Sequence, residues 1–187
     1  MEHIQAKETI YNGYRFRSKL EAKWAVFFDK LNVTYQYEPE AFRCSDGSQY
    51  TPDFYLPDSF LRTHKRKGLY LEIKPLGFSR YFSHENQTYV RRIATALESA
   101  NLCLFTGDPH DLVFGPWNES NEQLCPDYDN FMVLMYCDEC GALKADFLEG
   151  SYMICPNCEA DTEFYTMKAA ATYARQYRFQ FFNEHAA

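Results

Sequence analysis

Leu69-Tyr70-Leu71-Glu72-Ile73-Lys74-Pro75 alternates apolar with polar residues, and this alternation decides how the chain is read. Successive side chains in a strand point to opposite faces. Leu69, Leu71, Ile73 and Pro75 therefore share an apolar face, and Tyr70, Glu72 and Lys74 share the other. Glu72 and Lys74 become neighbours without any special turn. A second alternating stretch precedes it, Tyr50-Thr51-Pro52-Asp53-Phe54-Tyr55-Leu56. Here Tyr50, Pro52, Phe54 and Leu56 alternate with Thr51, Asp53 and Tyr55, so Asp53 falls on the more polar side. The polar, basic stretch from Asp58 to Gly68 suits a hairpin connection. Pairing of the two strands brings Asp53 and Glu72 to one end of a sheet.

A third acid lies upstream in Ser18-Lys19-Leu20-Glu21-Ala22-Lys23-Trp24. Leu20, Trp24, Phe27, Phe28 and Leu31 recur at helical spacing, which predicts a helix over 18–31. Glu21 has two readings. Ser18 to Glu21 has the form of a capping box, in which the glutamate closes the helix start. Glu21 also leans toward the apolar face, three residues before Trp24. Several carboxylates converging on one point are what a divalent cation requires, and such an ion activates phosphodiesters and water.

Pro52-Asp53 followed by Glu72-Ile73-Lys74, after a helical Glu21, resembles the PD-(D/E)XK nuclease superfamily. The strings Phe16-Arg17-Ser18-Lys19-Leu20-Glu21, Tyr37-Glu38-Pro39 and Tyr50-Thr51-Pro52-Asp53-Phe54 look most similar to the endonuclease subunit of heteromeric transposases and to phage relatives. The resemblance covers about the first two-thirds of the chain. It implies an α/β (α+β) fold with a restriction-endonuclease-like core of helix, three strands, helix and strand. It implies catalytic roles for Glu21, Asp53, Glu72 and Lys74, and Mg²⁺ or Mn²⁺ held by Asp53, Glu72, the Ile73 carbonyl and Glu21. Lys74 would orient the attacking water and stabilise developing charge, leaving 5′-phosphate and 3′-hydroxyl ends. DNA is the implied partner, with Arg15, Arg17, Lys19, Lys65, Arg66, Lys67 and Arg80 as candidate phosphate contacts. A junction-resolving nuclease of the same fold would act as a homodimer.

The strands are expected at 33–38, 50–56, 69–74 and 101–106, with a turn at Cys44-Ser45-Asp46-Gly47. A second helix is expected over 86–100, with Tyr89, Val90, Ile93, Ala94 and Leu97 inward. A last helix spans 166–182, with Met167, Ala170, Ala171, Tyr173, Ala174, Tyr177 and Phe181 on a broad apolar side. The chain divides into a core (1–116), a cysteine-bearing element (117–165) and the final helix (166–187).

Cys137-Asp138-Glu139-Cys140 and Cys155-Pro156-Asn157-Cys158 are separated by 14 residues. Two Cys-x-x-Cys pairs make a tetrahedral Zn²⁺ site of zinc-ribbon type. Four thiolates leave no open position, so the zinc is expected to be structural. Cys44, Cys103 and Cys125 show no pairing logic.

The 187 residues carry 46% hydrophobic and 18% aromatic side chains, enough for a substantial core and against disorder. No stretch approaches a membrane span, and Met1 to Glu8 lacks a signal-peptide apolar run. A soluble, cytoplasmic protein is expected. The net charge of −7 is uneven. Residues 117–163 hold 11 acids against Lys144 alone, and the remainder holds 15 acids against 18 basic residues. The nuclease-like part is mildly basic, and the cysteine element is a poor phosphate binder. That contrast supports a second reading, an assembly module whose acidic ribbon recruits a protein partner.

Overall fold

The computed structural model describes residues 7–61, 66–75, 78, 88–89, 92–93, 96, 102–109, 112–114, 131–147, 155, 157–160 and 165–179. A short hairpin, β1 (Thr9–Tyr11) and β2 (Tyr14–Phe16), leads into helix α1 (Lys19–Lys30). Ser18 caps α1, and its side chain accepts from the Glu21 amide. The helix stops in a Schellman turn. Asn32 takes a left-handed φ of 55°, Val33 N–H donates to Phe28 O at 2.9 Å, and Asn32 N–H donates to Asp29 O at 3.1 Å.

α1 is buried along most of its surface: Ala22, Trp24, Ala25, Val26, Phe27 and Phe28 are all enclosed. Trp24 stacks on Phe105 at 4.8 Å between ring centroids and donates its indole N–H to Gly107 O at 3.0 Å. Each such large side chain contributes about 1.5–3 kcal/mol by leaving water. The helix thereby anchors the sheet that carries Glu72.

Seven strands form one mixed sheet, in the order β11-β10-β9-β8-β7-β6-β3. They are β3 (Gln36–Tyr37), β6 (Phe54–Leu61), β7 (Arg66–Lys74), β8 (Leu102–Thr106), β9 (Leu112–Phe114), β10 (Phe131–Tyr136) and β11 (Leu143–Phe147). β6 and β7 are antiparallel, with Phe54 opposite Leu71. β7 and β8 are parallel, joined by a crossover containing helical residues at 88–89, 92–93 and 96. The sheet curls until β11 pairs in parallel with β6, Lys144 opposite Phe60. The final helix, α2 (Tyr165–Gln176), packs on α1.

Leu69, Leu71 and Ile73 enter the main core with Phe54, Leu56 and Phe105, as the alternation predicts. The opposite face is covered too. Tyr50, Ile93, Ala96 and Leu102 make a second cluster, with Tyr70 and Tyr89 against it. Glu72 is therefore enclosed at 3% exposure, although its face reads as polar.

Several expected boundaries shift. The stretch 58–68, expected as a connection, supplies strand at both ends, because β6 runs to Leu61 and β7 begins at Arg66. A register shift between Leu56 and Phe60 accommodates Pro57, which cannot donate to the ladder. The strand expected at 33–38 shortens to Gln36–Tyr37, because Glu38 has φ 46° and Pro39 follows. Tyr50 is not on the β6 face with Phe54. It lies in β5 (Gln49–Tyr50), paired with β4 (Phe42–Arg43) across the expected Cys44–Gly47 turn. α2 ends at Gln176, and Tyr173, expected inward, is 47% exposed. Val90, Ala94, Leu97, Cys125, Phe181 and the segment 151–154 lie outside the described residues. The strands of the cysteine-bearing element, β10 and β11, hydrogen-bond into the same sheet as the core strands. Among the described residues no helix is long and apolar enough to cross a membrane.

Candidate functional site

Asp53 immediately precedes β6, and Glu72 lies across from it near the end of β7. Asp53 is 3% exposed. One carboxylate oxygen accepts from the Ile73 amide at 2.6 Å, and the other accepts from the Arg17 guanidinium at 2.7 Å. Burial pushes the Asp53 carboxyl well above the ordinary carboxylate range. The charges of Glu72 and then Glu21 push it further, while the Ile73 amide and Lys74 oppose the shift. Three elements thus place negative charge on one another: the start of α1, the entry to β6, and β7.

Glu21 forms the expected helix cap and is also buried. Its amide donates to Ser18 Oγ at 3.1 Å, and Ser18 Oγ donates back to Glu21 Oε1 at 2.7 Å, so the cap is formed. The other oxygen, Oε2, accepts from Tyr37 Oη at 2.7 Å, and the side chain is 8% exposed. Tyr37 Oη also accepts from the Arg17 amide at 3.0 Å. Burial first, and the Glu21 carboxylate after it, raise the Tyr37 hydroxyl, which stays a donor.

Glu72 is held at both oxygens. Tyr50 Oη donates to Oε2 at 2.7 Å and Tyr89 Oη donates to Oε1 at 2.6 Å. Lys74 Nζ lies 2.5 Å from Oε1 and 4.7 Å from the centre of the Tyr89 ring. The strand reading therefore holds for the Glu72–Lys74 pair. Each carboxylate is engaged by protein donors. Among the described residues, the group of three or more His, Cys, Asp or Glu side chains gathered closely enough to hold a metal ion is the four cysteines, not these acids.

The basic candidates divide. Arg15 is paired with Glu8, Lys67 with Asp58, and Arg17 with both Glu38 and Asp53. Arg17 remains 56% exposed. Lys19 is exposed at the start of α1, and Arg66 opens β7. Lys65 and Arg80 lie outside the described residues. The tyrosines Tyr37, Tyr50 and Tyr89 are the hydrogen-bond partners of the candidate acids that sequence reasoning missed. Alternation assigns Tyr50 to an apolar face, and nothing local marks a tyrosine as a carboxylate donor. A surface cleft of about 470 Å³, lined by Tyr11, Tyr177, Arg178 and Phe179 among others, contains none of the acids.

Cys137, Cys140, Cys155 and Cys158 gather their sulfurs within 4.8 Å of one another. Cys137 Sγ and Cys158 Sγ are 3.5 Å apart, as are Cys140 Sγ and Cys155 Sγ. A tetrahedral ion with bonds of about 2.3 Å to sulfur implies edges of about 3.8 Å, so the cluster has the size and donor set of a metal site. The two knuckles share one backbone plan. Gly141 N–H donates to Cys137 O at 2.8 Å, and Glu159 N–H donates to Cys155 O at 2.9 Å. Gly141 and Glu159 both take left-handed φ, 71° and 62°. The first knuckle is the turn between β10 and β11, and Cys137, Ala142 and Cys155 pack around Phe60 of β6. The cluster therefore fastens that turn to the far end of the strand that Asp53 precedes. Comparison with family models, with curated proteins and with solved structures gives no match to this chain.

Proposed function

We propose that the protein is a metal-dependent DNA endonuclease of the PD-(D/E)XK kind, with a structural zinc at its four cysteines. The observation that carries this reading is the buried Asp53, whose carboxyl is raised by burial and by the charges of Glu72 and Glu21. Three carboxylates face two cations there, Arg17 and Lys74, which leaves an excess of negative charge. A structural ion pair does not need that excess, and a divalent cation relieves it.

The donor set fits Mg²⁺ or Mn²⁺, because it consists of hard oxygens. Asp53, Glu72 and the Ile73 carbonyl would hold the ion, with Glu21 contributing directly or through water. Bound there, the ion supplies Lewis acidity toward the scissile phosphate. Lys74, held between Glu72 and the Tyr89 ring, is positioned to orient water and to offset charge on the phosphate. Arg17 is the exposed cation beside Asp53 and is suited to a neighbouring phosphate. The cysteines would hold zinc with a closed shell, supporting the sheet and not the chemistry.

Cleavage of supercoiled plasmid tests the reading, with wild type, Asp53→Ala and Lys74→Ala compared in Mg²⁺, Mn²⁺ and EDTA. Metal-dependent nicking or linearisation that both substitutions abolish is the expected result. Cleavage that survives both substitutions sinks the assigned centre. No cleavage in any metal favours the assembly-module reading, in which the 11 acids of residues 117–163 face a protein partner.

A further inference from the structure

Glu72 is gripped from outside its own hairpin. Tyr50 comes from β5 and Tyr89 from the helical crossover, and their hydroxyls meet different oxygens of the same carboxylate, at 2.7 and 2.6 Å. Both hydroxyls are donors to the carboxylate. A carboxylate offers about four lone pairs. On Oε1 the Tyr89 hydroxyl and the Lys74 ammonium occupy two. On Oε2 the Tyr50 hydroxyl occupies one. Among the described residues, Oε2 therefore has fewer donors than Oε1.

We propose that Tyr50 and Tyr89 are positioning residues that hold the Glu72 carboxylate in place for the catalytic cation. This rests on the nuclease reading above and deepens it. Two donors from separate elements restrain the carboxylate, so Glu72 would meet the ion already oriented. Tyr89 has a second duty. Its ring carries Lys74 Nζ at 4.7 Å and the Arg92 guanidinium at 5.5 Å, so one side chain sets the places of both Glu72 and Lys74. Replacement by phenylalanine keeps the ring and its cations and removes only the hydroxyl. Hydrogen-bond partners of metal-ligating groups typically account for about 10–100-fold in metal affinity.

The test uses zinc-loaded full chain and Mn²⁺ as probe, followed by the free-ion signal in electron paramagnetic resonance. Wild type, Glu72→Ala, Tyr50→Phe, Tyr89→Phe and the double phenylalanine variant are compared. The expected result is Mn²⁺ binding that Glu72→Ala abolishes and that weakens about 10–100-fold in the double variant. Nicking by the double variant should then recover toward wild type as Mn²⁺ is raised, with a raised apparent KM for the ion. If the double variant loses its zinc content or near-ultraviolet dichroism, the single variants carry the test, each with about 3–10-fold weaker binding. Wild-type affinity in the phenylalanine variants, with binding still lost in Glu72→Ala, overturns the tyrosine roles and leaves the nuclease centre standing. Mn²⁺ binding that is absent from wild type, or indifferent to Glu72→Ala, removes the centre and this inference together.

Discussion

Asp53→Asn should stabilise the ion-free protein while removing the proposed nuclease activity. Glu72 and Glu21 both raise the Asp53 carboxyl, and burial raises it more. For scale, any two like unit charges at about 6 Å and an effective dielectric of about 20 repel by about 3 kcal/mol. The Ile73 amide and Lys74 return part of this, since a hydrogen bond to a charged group contributes about 1.5–3 kcal/mol. Asparagine keeps the acceptor for Ile73 and loses the charge. It also turns an amide group toward Arg17, which retains Glu38 at 2.7 Å. That exposed ion pair is worth little after screening. The net expectation is a gain of about 1–3 kcal/mol, or about 2–10 °C in Tm for a chain of this size. The gain depends on pH with a definite sign. A raised folded-state pKa means the native state binds more protons than the unfolded one. Wild type therefore loses stability as pH climbs from about 4 through the folded value, then levels off. Asp53→Asn lacks that loss, so the two proteins should melt together near pH 4 and separate by pH 8. Thermal denaturation of zinc-loaded protein without other divalent ions, from pH 4 to 8, reads both the size and the slope. Added Mn²⁺ should then raise the wild-type Tm alone. An Asp53→Asn protein that melts lower than wild type by the same margin at every pH would refute the reasoning, because Asp53 would then be a stabilising partner of Arg17.

Chelation of the cysteine-bound metal, or Cys155→Ser, should loosen residues 137–142 and the Phe60 end of β6, which packs against them. Hydrogen exchange should show protection there falling at least about tenfold, while Leu69 to Ile73 stays protected by the main core. The knuckles should respond oppositely to substitution at their left-handed positions. Gly141→Ala should lower stability and Glu159→Gly should raise it, each by about 1 kcal/mol in chemical denaturation. Gly68→Ala should cost about 2 kcal/mol or more in the same assay. Its φ is 98°, and an added Cβ would stand 2.5 Å from the Tyr55 hydroxyl and 3.0 Å from its ring.

Local periodicity was enough to read α1, the β6–β7 hairpin, β8 and the two cysteine knuckles. Helical and strand periods are properties of consecutive residues, and the Cys-x-x-Cys spacing is itself the geometry of a knuckle. The same alternation correctly put Glu72 beside Lys74. It misplaced Tyr50, because a residue that leaves one strand and joins another hairpin changes face without any change in pattern. It read Glu72 as lying on a polar face, whereas the second cluster, around Tyr50 and Ile93, encloses that face. Closure of the sheet by β11 on β6 was also invisible, since pairing of residues 84 apart, Lys144 with Phe60, depends on accumulated curl and not on neighbouring side chains. The sequence alone determined which acids and cysteines were present, and in what local geometry. Only the tertiary structure decided that Arg17, Tyr37, Tyr50 and Tyr89 would hold those acids, because burial and long-range hydrogen bonds arise when separate elements meet.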